Sequence, residues 1–377
     1  MKKQYKTWVE ISGDNIRYNL SNIRKKIGSK VNLMVVVKSN AYGTGIKEMV
    51  READSMVGWY GVDSVSEADM VRKFSKKPIL ILGYVAESEF KKVVDKDYSI
   101  LFYTRELLDV ISKQNFSNRK IKVHIKIDSG LNRLGFDITD LKDVMDELVA
   151  IKNIEVEGLC THFAKLINER NVAMYEKPLN SLKAAKKIIE SYGIKLRYIH
   201  SASSLATVLF KKTHLDMVRV GIIAYGLWGG RDLISLVKSK RSNLSIKPII
   251  CWKTRVIRIR DVKEGESIGY MNYTKFKKNT RIAVVGVGFY DGLDRRYAKN
   301  GYFLINGEKT KLLGKIAMNM SIVDISHINN VNVGEEVVII GRSCNKEITV
   351  YDLAEAINIS AYEIITRINP LLPRVLV

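Results

Sequence analysis

The sequence predicts an α/β fold: a (β/α)8 TIM-like barrel at the N-terminus, followed by a mainly-β C-terminal domain. Three observations predict it. Short β-branched runs alternate with helical stretches about eight times before Trp228, the alternation then stops, and from Lys247 onward strand-like runs follow one another directly. The barrel strands read as Leu33–Val37, Tyr60–Asp63, Ile79–Leu82, Ile100–Tyr103, Lys122–Ile127, Val156–Thr161, Arg197–His200 and Met217–Val220. Helical spacing separates them at Ser64–Lys73, Glu106–Lys113 and Lys177–Ser191. A doubly wound open sheet gives the same alternation with fewer units and stands as the alternative.

The second part reads as strands Ile249–Ile259, Arg281–Val287, Thr310–Leu313, Met320–Ile325 and Glu336–Ile340, closed by a helix at Tyr351–Ile357. Turn signals such as Glu264-Gly265 and Asn306-Gly307 lie between them. The division assigns 11–240 to the barrel and 241–377, with residues 1–10, to the second domain.

Composition narrows the function. The chain has 377 residues, 46% of them hydrophobic and only five of them proline, which suits a large buried core and excludes a disordered chain. Lys and Arg outnumber Asp and Glu by 62 to 40, a charge of +22. The cations are dispersed, with short runs only at Arg24-Lys25-Lys26 and Lys275-Phe276-Lys277-Lys278. No zinc finger, RNP motif or phosphate loop accompanies them, so they read as a field that draws in small anions rather than as a nucleic-acid surface. The three cysteines, Cys160, Cys251 and Cys344, match neither a disulfide framework nor a metal pattern. With no signal-length or membrane-length apolar run, the expectation is a cytoplasmic protein without a metal and without a membrane partner.

In such barrels the chemistry gathers where strands end at their C-terminal side. Leu33-Met34-Val35-Val36-Val37 runs straight into Lys38, a lysine drawn toward the barrel mouth, where reduced hydration favours the neutral amine that Schiff-base chemistry needs. On the fifth strand, period-two alternation sets His124, Lys126 and Asp128 on one face and Val123, Ile125 and Ile127 on the other.

Lys38-Ser39-Asn40-Ala41-Tyr42-Gly43-Thr44-Gly45 resembles the lysine motif of the alanine racemase family, the fold-type III pyridoxal phosphate enzymes. The resemblance extends over nearly the whole chain. It includes Trp8-Val9-Glu10-Ile11, the stretch from His124 through Asp128-Ser129-Gly130-Leu131-Asn132-Arg133 to Gly135, and Gly158-Leu159-Cys160-Thr161-His162-Phe163-Ala164. It continues through His200-Ser201-Ala202-Ser203-Ser204, Met217-Val218-Arg219-Val220-Gly221-Ile222, Gly269-Tyr270, the segment Gly314–Met320 and Ala361-Tyr362-Glu363.

The resemblance implies a homodimer that racemises alanine with pyridoxal 5'-phosphate as cofactor, supplying D-alanine for peptidoglycan. Racemisation removes an α-proton from one face and returns one to the other, so two bases on opposite faces suffice. By resemblance Lys38 holds the cofactor and is one base, and Tyr270, reaching across from the partner subunit, is the other. A tyrosine with its ordinary pKa of about 10 is a weak base, and His162 and Arg219 are the neighbours that would assist it. Arg219 would face the pyridine nitrogen. Tyr42, Ser204, Tyr362 and the backbone N–H groups of Gly221 and Ile222 would hold the phosphate. Arg133 and the backbone of Met318 would hold the substrate carboxylate, and Lys126 would be carbamylated so as to orient Arg133.

Several positions depart from the usual family pattern. Thr44 stands where histidine is common and Ser203 where asparagine is usual; Lys165-Leu166-Ile167 replaces Thr-Ala-Asp. Lys315 replaces arginine, Asn319 aspartate and Phe289 a tyrosine of the substrate entrance. A broader amino-acid racemase accepting serine or basic amino acids therefore stays beside the alanine enzyme. The retained Tyr362 favours alanine. A decarboxylase of the same fold type and a non-catalytic cofactor carrier are the more distant readings.

Overall fold

The computed structural model describes residues 4–164, 173–239, 244–269 and 274–377. Strand β1 (Thr7–Ile11) leads, and eight parallel strands then close into a barrel: β2 (Asn32–Val36), β3 (Trp59–Val62), β4 (Ile79–Ile81), β5 (Ser99–Phe102), β6 (Ile121–Lys126), β7 (Ile154–Cys160), β8 (Tyr198–His200) and β9 (Met217–Val220). The doubly wound alternative is thereby excluded, because β9 returns to pair with β2, setting Met34 opposite Arg219.

The strands close this way because both faces are apolar, as parallel strands covered by helices require. Alternate residues point inward, so Met34, Trp59, Leu80, Leu101, Cys160 and Met217 form one cluster inside the barrel. The outward residues, such as Val218 and Val220, join the large core shared with the helices.

The second unit is built on β10 (Ile250–Val262), followed by the short pair β11 (Ser267–Ile268) and β12 (Thr274–Lys275). Strands β13 (Thr280–Val285), β14 (Tyr302–Ile305), β15 (Glu308–Leu313), β16 (Ser321–Asp324), β17 (Glu336–Ser343), β18 (Lys346–Ile348) and β19 (Arg374–Leu376) complete it. A register shift between Val256 and Arg258 bends β10, so that its first part pairs with β1 and β17 and its second part with β13. Two helices, Val350–Ala356 and Ala361–Thr366, follow, where the sequence pattern predicted one. The boundary drawn between 240 and 241 falls outside the described residues.

The two units grip each other at the turn that carries Lys38. Ser39, Asn40, Ala41 and Tyr42 all have φ between 51° and 54°, one turn of left-handed helix. Each such residue costs about 1–2 kcal/mol, so the turn needs support from outside itself. Tyr42 is followed by Gly43 at φ 82°, lying so close to the last helix that a Cβ there would sit 1.9 Å from the Ile365 carbonyl oxygen. The Arg374 guanidinium then donates to the Gly43 carbonyl at 2.8 Å.

Gly43→Ala should therefore lose roughly 2–4 kcal/mol, from a left-handed alanine plus the clash with Ile365. Gly28→Ala, with nothing within 4 Å of its new Cβ, should lose only about 1 kcal/mol at the similar φ of 81°. Urea unfolding midpoints of the two variants measure the difference.

Candidate active site

At the C-terminal mouth of the barrel lies a cavity of about 710 Å³. Lys38, Tyr42, Lys126, Arg133, His162, Ser204, Arg219, Gly221, Ile222 and Tyr362 all line it, although they come from six separate parts of the chain. One of the expected site residues, Met318, is not brought there. Met318 lies outside the cavity of its own chain, 58% exposed on a loop where its carbonyl accepts from Tyr290 N–H. Tyr270 lies outside the described residues, as do Lys165, Leu166 and Ile167.

The turn that presents Lys38 is fixed by backbone bonds. Ala41 N–H donates to the Val37 carbonyl at 2.8 Å and Gly45 N–H to the Asn40 carbonyl at 2.9 Å. Thr44 is fully buried beneath this turn, its hydroxyl donating to the Ala41 carbonyl at 2.6 Å. It supports the loop and does not line the substrate entrance.

At one end of the cavity, Gly221 N–H donates to Ser204 Oγ at 3.0 Å. A Cβ on Gly221 would sit 2.3 Å from the Tyr42 hydroxyl, so only glycine leaves this cradle open. Tyr42 and Tyr362 face each other with ring centroids 6.0 Å apart. Burial pushes the Tyr362 hydroxyl up to about 12 and raises Tyr42 as well, so both remain neutral donors. The backbone at Gly221 and Ile222, three hydroxyls and a glycine that a side chain would fill fit a phosphate group.

Arg219 lies deeper, on β9, 7% exposed. Its guanidinium donates to the carbonyls of Thr161 at 2.8 Å and Ser201 at 3.3 Å, to His162 Nδ1 at 3.4 Å and to His200 Nδ1. Among the described residues no carboxylate lies within ion-pairing distance of it. Because a guanidinium only donates, His200 must accept at Nδ1 and so carries its proton on Nε2. That nitrogen lies 2.8 Å from His124 Nδ1, and His124 Nε2 lies 3.3 Å from Glu157 Oε2. The bonds thus run in one direction from Arg219 through two neutral imidazoles to a carboxylate, which Ser99 also donates to at 2.7 Å. Burial, ahead of the nearby charges, keeps His124 and His200 from taking a second proton. The sequence pointed to His124 as inward-facing; Glu157 and Ser99 went unnoticed, although each is a polar residue at an interior position of an apolar strand.

Lys126 points into the same interior, 6% exposed, and burial favours its neutral form, with Arg133 and Arg219 adding to the effect. Asp128 does not share its face. The strand ends at Lys126, and the Asp128 carboxylate turns back to accept N–H bonds from Gly130 at 2.7 Å, Leu131 at 2.9 Å and Arg133 at 3.1 Å. Burial opposes its ionisation, and these backbone donors outweigh that, holding its carboxyl below the usual range. The loop they shape is what offers Arg133 to the cavity.

The sequence matches the alanine racemase N-terminal domain over residues 11–228 and the alanine racemase C-terminal domain over residues 249–376. The chain belongs to the alanine racemase family. An alanine racemase of Leptospira interrogans is 36% identical, the match covering 100% of this chain and 97% of the relative. Among solved structures, an alanine racemase of Clostridium difficile is similar with a TM-score of 0.92 at 29% identity, covering 100% of this chain and 97% of that one. The alanine racemase of Bacillus anthracis, solved with bound L-Ala-P, gives the same TM-score at 28% identity, covering 100% and 96%.

His162 supplies a pH test. Burial, and after it the Arg219 guanidinium, pushes its imidazole down to about 3, against about 6.5 in an unfolded chain. Between those values the unfolded chain binds a proton that the folded one refuses. Stability should therefore be full above pH 6.5 and fall as the pH drops toward 3. His162→Gln should make that slope shallower by about one proton, read from urea midpoints between pH 6.5 and 4.5.

Proposed function

We propose that this family member is a pyridoxal 5'-phosphate-dependent alanine racemase, interconverting L- and D-alanine with Lys38 and Tyr270 as its two bases. The observation that carries the reading is the single cavity in which Lys38, an open phosphate cradle and a carboxylate-free Arg219 converge. Bound pyridoxal phosphate supplies the electron sink that makes the α-proton of an amino acid removable. Tyr42, Ser204, Tyr362 and the N–H groups of Gly221 and Ile222 would hold its phosphate, and Lys38 would hold it covalently. Arg219 would face its ring nitrogen as a permanent donor, leaving that nitrogen unprotonated.

Lys38 then takes the α-proton on one face or returns it there, and the Tyr270 hydroxyl does the same on the other. Neutral His162 and donating Arg219 would be the polar neighbours for that hydroxyl. Arg133, with the Met318 backbone, would hold the substrate carboxylate. Lys126, as a neutral amine, would combine with carbon dioxide and release a proton, giving a carbamate that orients Arg133. Native mass spectrometry in bicarbonate should then show the added mass of one carbon dioxide on Lys126, and Lys126→Ala should show none.

The working unit in this reading is a homodimer, in which the partner's second domain brings Tyr270 and Met318 to the cavity. Support comes from the exposed side chains of Phe289, Tyr290, Met318 and Met320 on the adjoining loops 288–291 and 317–320, an apolar group suited to cover by a second copy. The division of the chain at residues 240 and 241 follows the same reading. A cytoplasmic role in making D-alanine for peptidoglycan is consistent with three unpaired cysteines. Among the described residues no helix is long and apolar enough to cross a membrane.

The experiment is racemisation of L-alanine in deuterium oxide by the loaded enzyme. D-alanine should appear with deuterium at its α-carbon, and Lys38→Ala and Tyr270→Phe should each lower the rate at least 10³-fold. Loaded enzyme that exchanges no α-proton would overturn the reading.

A further inference from the structure

The residues around the cavity are unbalanced in charge. Among the described residues lining it, Lys38, Arg133 and Arg219 are the cationic side chains beside Lys126, whose neutral form burial favours, and Asp63 is the one carboxylic side chain. Asp63 follows β3, and its Oδ1 lies 3.3 Å from Lys38 Nζ. The sequence reading gave this position no role.

The Asp63 backbone is fixed from two sides. Its N–H donates to Glu67 Oε2 at 2.8 Å, and the other oxygen of the same carboxylate accepts from Asn40 N–H at 3.3 Å. Glu67 therefore ties residue 63 to the left-handed turn that carries Lys38. On the far side Gly83 N–H donates to the Asp63 carbonyl at 3.1 Å. A Cβ on Gly83 would lie 2.3 Å from that carbonyl oxygen and 3.0 Å from Asp63 Oδ2, so the aspartate rests on a bare glycine. This framework holds the carboxylate beside the lysine, although both side chains are open to solvent.

We propose that Asp63 is a positioning residue for the racemisation, serving as the counter-ion of Lys38 whenever the lysine is free of the cofactor. The proposal rests on the reading of Lys38 as the cofactor-bearing base. An amine that accepts the α-proton becomes an ammonium in a cavity that already holds two guanidiniums, those of Arg133 and Arg219, and Asp63 is the group that stabilises it and keeps it at the mouth of the cavity. The proton moves between the α-carbon and Lys38, and Asp63 stays a carboxylate throughout.

The test uses the full-length chain stripped of cofactor and reductive methylation with formaldehyde and sodium cyanoborohydride, in which only an unprotonated amine attacks the formaldehyde carbon. Peptide mass spectrometry reads Lys38 against the other lysines, whose unchanged rates show that each variant is folded. At pH 7.5 in low salt, Asp63→Asn should speed methylation of Lys38 about two- to five-fold, the range of an exposed ion pair. Asp63→Glu should restore the slower rate, and 0.5 M sodium chloride should narrow the difference. An unchanged Lys38 rate in Asp63→Asn, or a Glu variant as fast as the Asn variant, overturns the proposal. Failure of the underlying reading would show separately, as borohydride reduction of the loaded wild-type enzyme that leaves no cofactor adduct on Lys38.

Discussion

The rest of the site depends on a guanidinium buried at the centre of the barrel and satisfied only by neutral acceptors. Burying an unpaired charge is costly, so the fold surrounds Arg219 with two backbone carbonyls and two imidazole nitrogens in place of an acid. The negative charge that balances it is displaced to Glu157, two histidines away along a line of bonds with a fixed direction. A carboxylate beside Arg219 would neutralise the guanidinium locally. The displaced arrangement leaves it a donor at the cavity wall, as the proposed partnership with a cofactor ring nitrogen would require.

A second constraint joins the two units. The turn after Lys38 is left-handed over four residues that are not glycine, and it holds because distant parts of the chain over-determine it. Glu67 accepts the Asn40 N–H from one side, while the last helix and Arg374 close on Gly43 from the other. The C-terminal unit thus shapes the position of the lysine.

Most of this was legible where a residue's role follows from its place on a strand. Lys126 stood out because a charged residue at an inward position of an apolar strand has few bland explanations, whereas Arg219 came from the motif resemblance. The strands themselves followed from β-branched runs and their spacing, and β14 was missed only because its partner across the Asn306-Gly307 turn was named without it. What the sequence hid is what distant contacts create. Ser39-Asn40-Ala41-Tyr42 carries no glycine to announce a left-handed turn, and its supports lie at residues 67, 365 and 374. The helix Ala361–Thr366 and the strands β18 and β19 are too short to show a period. Thr44 was read as a change at the substrate entrance because a motif carries no burial, and Asp63 became visible only once β3 and the Lys38 turn were neighbours.

The most direct measurement of the central claim is the protonation of the interior imidazoles by ¹⁵N NMR of the histidines, of which the chain has five. At pH 7, His200 and His124 should each be neutral with the proton on Nε2. A doubly protonated ring at either position, or a proton on His200 Nδ1, would contradict an Arg219 held by neutral acceptors.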